Sequence, residues 1–170
     1  MESESARMSS AAEARFRIDY PNSSPRSVKV IALDQASEPI VKRAAGRRWQ
    51  GASFFASLTF ESAAHRGEYW SIQAWLNDLA GRTKALVDEV ADADLVVMVA
   101  SPGADARAAA VIGEACAVRK VMTTALIVGS GSHSDEALSN TLAALRPHAS
   151  MLVIANGEEY VEEMLVALRA

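Results

Sequence analysis

Several polar or small residues stand directly after runs of apolar ones. Asp34 follows Val28-Lys29-Val30-Ile31-Ala32-Leu33, and Ser101-Pro102-Gly103 follows Leu95 to Ala100. Gly129-Ser130 follows Val121 to Val128, and Asn156 follows Ser150 to Ala155. A carboxylate in the position of Asp34 can hold a ribose or a cationic group, or it can cap the next turn. Ser101-Pro102-Gly103 leads through Asp105 and Arg107 into an Ala-rich helical stretch. Free N–H groups at a helix start, with Arg107 one turn in, can hold a phosphate or a carboxylate. The plainer reading is that Ser101 or Gly103 turns the chain and Asp105 decorates the first helical turn. Gly129 to Ser134 is small and polar, suited to draping over a ligand or to a surface connection. The candidate ligand-binding set is therefore Asp34, Ser101, Gly103, Asp105, Arg107, Gly129, Ser130 and Asn156. No residue is singled out as catalytic.

Other chemistry finds less support. The separations of His65, His133 and His148 match no metal-binding motif. Cys116 is the one cysteine and falls late in its helix, where the dipole opposes a thiolate, so it reads as a packed core residue. With no disulfide framework the chain reads as cytoplasmic. Its start, Met1-Glu2-Ser3-Glu4-Ser5, lacks the basic and apolar segments of a secretory signal. The longest apolar run, Leu95 to Ala100, is far short of the ~18 residues of a membrane span. The net charge of −4 argues against a general nucleic-acid binder. Trp49, Phe54, Phe55, Phe60, Tyr69, Trp70 and Trp75 crowd one stretch near Arg43, Arg47, Arg48 and Arg66. That aromatic segment, 49–75, reads either as core or as a surface for self-association or a protein partner.

The elements that must position these residues follow from periodicity. The chain has 170 residues, 50% of them hydrophobic and 22% charged, enough for one globular domain. Residues 1–27 read as a mobile N-terminal tail, and 28–170 as a single α/β domain. Strands are expected at 28–33, 52–60, 95–100, 121–128 and 150–155. Helices are expected at 37–50, 70–91, 104–120, 135–145 and 158–169. Ser37 can cap the first helix and Pro39 fits its first turn. Residues 61–69 read as a loop. Strict alternation of strands and helices predicts a three-layer, Rossmann-like α/β sandwich with a mostly parallel sheet of about five strands. In such sheets ligands bind outside the carboxyl ends of the strands, where Asp34, Ser101, Gly129 and Asn156 stand.

Two family resemblances follow. Ala93 to Ala100 resembles the strand before the glycine loop of the FtsZ/tubulin-like GTPase domain. Ala143-Ala144-Leu145-Arg146-Pro147-His148-Ala149-Ser150-Met151-Leu152-Val153-Ile154-Ala155-Asn156 resembles that family's "ALREHVDTLIVIPN". Element order is similar over 28–170, and motifs over 93–156. The resemblance implies a guanine-nucleotide pocket, but the glycine-rich phosphate loops are not retained. Asp34-Gln35-Ala36-Ser37-Glu38 stands in the first, and Ser101 to Arg107 replaces "GGGTGTG" with Gly103 as its one glycine. Two carboxylates facing a triphosphate are electrostatically wrong. The family's second domain has no counterpart before Ala170. The resemblance thus implies a degenerate, single-domain relative that has lost assembly-driven GTP hydrolysis and acts by binding, to itself, to a partner or to a small ligand. Asp92 to Val99 followed by Ile112-Gly113-Glu114-Ala115 is also similar to nucleoside deoxyribosyltransferases. Their nucleophilic Glu precedes the Ile-Gly pair, where this chain has Val111, and Glu114 is the nearby carboxylate. That resemblance implies a small nucleotide- or nucleoside-processing enzyme.

Overall fold

A computed structural model describes residues 25–57, 75–78, 80, 82–129, 131 and 133–170, with nothing said of the side chains of Trp75 and Thr83. Ser130, Phe60, Tyr69, Trp70, His65 and the expected loop 61–69 therefore lie outside the described residues, as do residues 1–24.

The strands are β1 (Val28–Ala32), β2 (Ala52–Ser57), β3 (Trp75–Asp78), β4 (Thr83–Ala85), β5 (Leu95–Ala100), β6 (Met122–Val128) and β7 (Met151–Ala155). The helices are α1 (Glu38–Ala45), α2 (Leu86–Ala91), α3 (Ala108–Arg119), α4 (Asp135–Leu145) and α5 (Tyr160–Ala167). One sheet carries the seven strands of the described residues in the order β4-β3-β2-β1-β5-β6-β7. β2, β1, β5, β6 and β7 run parallel, and β3 alone runs against them, pairing antiparallel with both β2 and β4. The fold is a Rossmann-like α/β sandwich with seven strands among the described residues.

Alternation within the strands sorts side chains to two faces. Ile31, Met98 and Ile127 pack with Leu86 and Val90 of α2, Ile112 of α3 and Leu145 of α4. Val30, Val97 and Leu126 pack with Ile40 and Val41 of α1 and with Val161 and Leu165 of α5. β5 is buried at all six positions, as its unbroken apolar run requires in a parallel sheet covered on both faces.

One expected element is overturned. The apolar spacing over 70–91 predicts a long helix, but β3 and β4 take seven of its fifteen described residues, and among these only Leu86–Ala91 is helical. Asp78 decides the local structure. Its carboxylate accepts N–H bonds from Ala80 at 3.0 Å and Arg82 at 2.8 Å, and Arg82 Nε at 2.7 Å. These bonds close a turn between two strands. Leu76 then enters the core from β3, fully buried. The hairpin adds two antiparallel strands beyond β2 and breaks the strict strand–helix alternation.

The other corrections are at boundaries. Residues 26 and 27, next to the expected boundary, bond to the domain. Arg26 N–H donates to Arg169 O, and Ser27 N–H donates to Asp94 Oδ2 at 2.8 Å. The helix expected from Ala104 starts at Ala108, which leaves Ser101 to Arg107 as a loop. Ser37 stands at the start of α1 but makes no side-chain cap there.

Candidate functional site

β1 leads through α1 to β2 on one side, and β5 leads through α3 to β6 on the other. The point where strand order reverses therefore lies between β1 and β5. Leu33-Asp34 and Ser101 meet there.

Asp34 does not stand open at this point. Its Oδ1 accepts the N–H of Ser37 at 2.8 Å, and its Oδ2 accepts the N–H of Ser101 at 2.9 Å. Ser37 Oγ turns back onto the same residue, donating to Asp34 O at 2.9 Å and accepting from Asp34 N–H at 3.3 Å. Ser37 is fully buried in this turn, which is why its hydroxyl is not available to α1. One carboxylate thus ties the β1–α1 turn to the β5–α3 turn. Ser57 Oγ, at the end of β2, adds a bond to Leu33 O at 3.1 Å.

The Ser101 to Gly103 turn has a second anchor, which sequence reasoning missed. Thr141 of α4 is buried; its Oγ1 accepts Gly103 N–H at 2.9 Å and donates to Ala137 O at 3.1 Å. Gly103 has φ +80, a left-handed conformation that suits glycine. Ala104 N–H closes the turn onto Ser101 O at 3.2 Å. A threonine inside a helix gives no sign of such a role, because its usual bond is back to its own helix.

Asp105 and Arg107 pair with one another. Arg107 Nε lies 2.7 Å from Asp105 Oδ2, and Arg107 N–H donates to Asp105 Oδ1 at 3.0 Å. Both side chains are exposed. The hydrogen bond from the Arg107 side chain, then that from its backbone, holds the Asp105 carboxyl below its ordinary range. The guanidinium thus faces a carboxylate of its own loop.

Gly129 packs against the β5–α3 loop. A Cβ there would stand 2.9 Å from Pro102 Cγ and 3.1 Å from His133 Cδ2, so glycine permits the approach. Its N–H donates to Ala155 O at 3.2 Å. Asn156 is exposed at the end of β7, two strand spacings from β5, or about 10 Å. The structure therefore brings Asp34, Ser101, Gly103 and Gly129 into one crest. Asp105 and Arg107 stand at its rim and Asn156 farther out.

The remaining candidates sit elsewhere. Glu114 is exposed midway along α3 rather than at the crest. Cys116 is buried, and burial pushes its thiol up to about 11. Of the aromatic segment, Phe54 and Phe55 are core residues on opposite faces of the sheet. Trp49 is half-buried, donates Nε1–H to Ala44 O at 2.9 Å, and carries the Arg47 guanidinium 5.5 Å above its ring. The described part of 49–75 is thus largely packed inward. Among the described residues no group of three or more His, Cys, Asp or Glu is placed to hold a metal ion. No helix among them is long and apolar enough to cross a membrane.

The sequence matches no protein-family model and no curated protein.

Proposed function

We propose that this chain is a degenerate FtsZ/tubulin-like domain that acts as a binding module and does not turn over GTP. The carboxylate of Asp34 carries this reading. A phosphate at a switch point needs backbone N–H groups pointing at it, with no competing anion. Here the N–H groups of Ser37 and Ser101 point at Asp34 instead. Gly103 N–H goes to Thr141, and Arg107 pairs with Asp105. These four groups already have partners within the fold, and a carboxylate stands among them.

Thermal unfolding against GTP, GDP, ATP, NAD and nucleosides, each with and without magnesium, tests this reading. A ligand present at 100 times its Kd stabilises the native state by about 2.7 kcal/mol, a clear rise in midpoint. The expected result is no shift with any of them and no phosphate release from GTP. A rise with guanine nucleotides, or GTP turnover, would overturn the proposal. A rise with nucleosides alone would favour the nucleoside-processing enzyme.

A further inference from the structure

We propose that two copies of this chain associate through their β7 strands, antiparallel about a two-fold axis at Val153, so that the two sheets become one. The inference concerns the sheet edge and does not rest on the reading of the crest.

Among the described residues β7 and β4 end the sheet. An edge strand exposes backbone N–H and C=O groups to any second strand, and proteins commonly blunt such edges with shortness, lysine, proline or a bulge. β4 has two of these devices, being three residues long with Lys84 at its centre. β7 has none: Met151-Leu152-Val153-Ile154-Ala155 is wholly apolar. Two of its large side chains, Met151 and Ile154, are each 49% exposed. They belong to opposite faces, since Leu152 packs with the α3 and α4 layer and Val153 with the α1 and α5 layer. No single helix laid on one face would cover both, whereas a strand added at the edge reaches both faces.

Charge selects a second copy, and its direction. The 3-10 turn Arg146–His148 precedes β7, and Glu158, whose carboxylate already pairs with Arg43 of α1, and Glu159 follow it. The Glu159 carboxylate lies against Gly157, just past the strand end. Arg146 is exposed and makes no ion pair with another described residue. The register that pairs all five apolar residues puts Val153 opposite its copy, Leu152 opposite Ile154, and Met151 opposite Ala155. It carries the Arg146–His148 turn of one copy to the Glu158-Glu159 turn of the other, at both ends of the joint. A two-fold interface repeats each such contact. Parallel pairing would set like charges together. Ile154 would gain a cross-strand apolar neighbour on its own face.

Sedimentation and light scattering of the full chain test the proposal. The expected particle has twice the 18.1 kDa mass of one chain. At about 0.1 mM protein, a dimer of micromolar Kd is filled. Ile154→Lys and Met151→Lys, both at exposed positions, are each expected to give a monomer with unchanged circular dichroism. Arg146→Glu and Glu159→Arg are each expected to weaken the dimer about tenfold, and the double variant to restore it. Val153→Cys is expected to form a disulfide-linked dimer under mild oxidation, because directly opposed residues of antiparallel strands lie within bridging distance, about 4.5–5.5 Å between Cα atoms. Buried Cys116 does not compete. A monomeric wild type overturns the proposal, as would follow if residues 1–24 lay along β7. A dimer that survives both lysine variants and does not cross-link at 153 overturns it equally.

Discussion

Asp34 Oδ2 accepts the backbone N–H of Ser101 at 2.9 Å, joining two turns 67 residues apart in sequence. The bond spans the point between β1 and β5 where an α/β sheet normally opens to its ligand. The other oxygen of the same carboxylate takes Ser37 N–H. A residue whose type suits ligand binding here serves as a clasp between loops.

Replacing Asp34 measures the clasp. Asp34→Ala leaves two N–H groups without an acceptor in a partly buried turn. Each such loss costs about 1–3 kcal/mol, and water access places the total near the low end, about 2 kcal/mol. Asp34→Asn keeps one carbonyl acceptor and is expected to cost about half of that. Urea unfolding reads both. If Asp34→Ala unfolds within about 0.5 kcal/mol of wild type, the clasp is not structural and a ligand role for the carboxylate returns.

Thr141→Val removes the second anchor while keeping the shape of the side chain. Gly103 N–H loses its acceptor, but Gly103 is exposed and water can replace it. The expected cost is therefore about 1 kcal/mol, smaller than for Asp34→Ala. Hydrogen exchange at Gly103 should accelerate while the β5 amides stay protected. Equal acceleration through β5 would mean that Thr141 holds the core rather than the loop.

Gly113 gives a prediction whose sign is decided by packing. Glycine to alanine inside a helix ordinarily stabilises by about 1 kcal/mol. A Cβ at 113, however, would stand 2.7 Å from His148 Cβ and 3.2 Å from His148 Cα. The Arg146–His148 turn must then move away from α3, and overpacking of this kind costs about 1–3 kcal/mol. Gly113→Ala is expected to lower the unfolding midpoint, and a raised midpoint would show that the turn yields freely.

The parallel core was legible because burial on both faces leaves an unmistakable mark. Leu95 to Ala100 and Val121 to Val128 have no polar alternation, and the structure makes both central strands. Asp34 and Ser101 were legible as residues at strand ends, but their meeting depends on β1 pairing with β5, which the sequence pattern does not record. The hairpin of β3 and β4 was not legible, because Leu76, Leu79, Leu86 and Val90 also fit helical spacing. Asp78 and Gly81 carried the contrary signal of a turn. The closure of the crest was equally hidden. It depends on Asp34 meeting an amide 67 residues away, which no local pattern records.

Cys116 should behave as an inert thiol. Burial pushes its pKa up to about 11 from the usual 9.0, so little thiolate forms near neutrality. Reaction with a thiol reagent at pH 8 is expected only as fast as the chain opens, and at once in denaturant. The linkage has a definite sign. The native state keeps a proton that the unfolded chain releases above 9.0, so this contribution to stability is complete below that pH and is lost as pH rises toward about 11. An unfolding midpoint that rises across that window in wild type, relative to Cys116→Ala, would contradict the burial of the thiol.

Lys29 and Glu89 form an ion pair at 3.3 Å between β1 and α2, with side chains only 12% and 22% exposed. Lys29 shares a sheet face with Ile31, so its aliphatic stem lies along apolar neighbours while its ammonium reaches Glu89. The two partners are not equivalent. Glu89→Ala strands an ammonium on the more enclosed side chain, at an expected cost of about 2 kcal/mol. Lys29→Met keeps the stem and its packing, and leaves a carboxylate with better access to water. It is expected to cost less than about 1 kcal/mol, since apolar replacement of a buried charge is often neutral. Chemical denaturation of the two single variants compares them directly. If Lys29→Met is the more damaging, the pair holds α2 against the sheet through its charge, and the packing of the lysine stem is secondary.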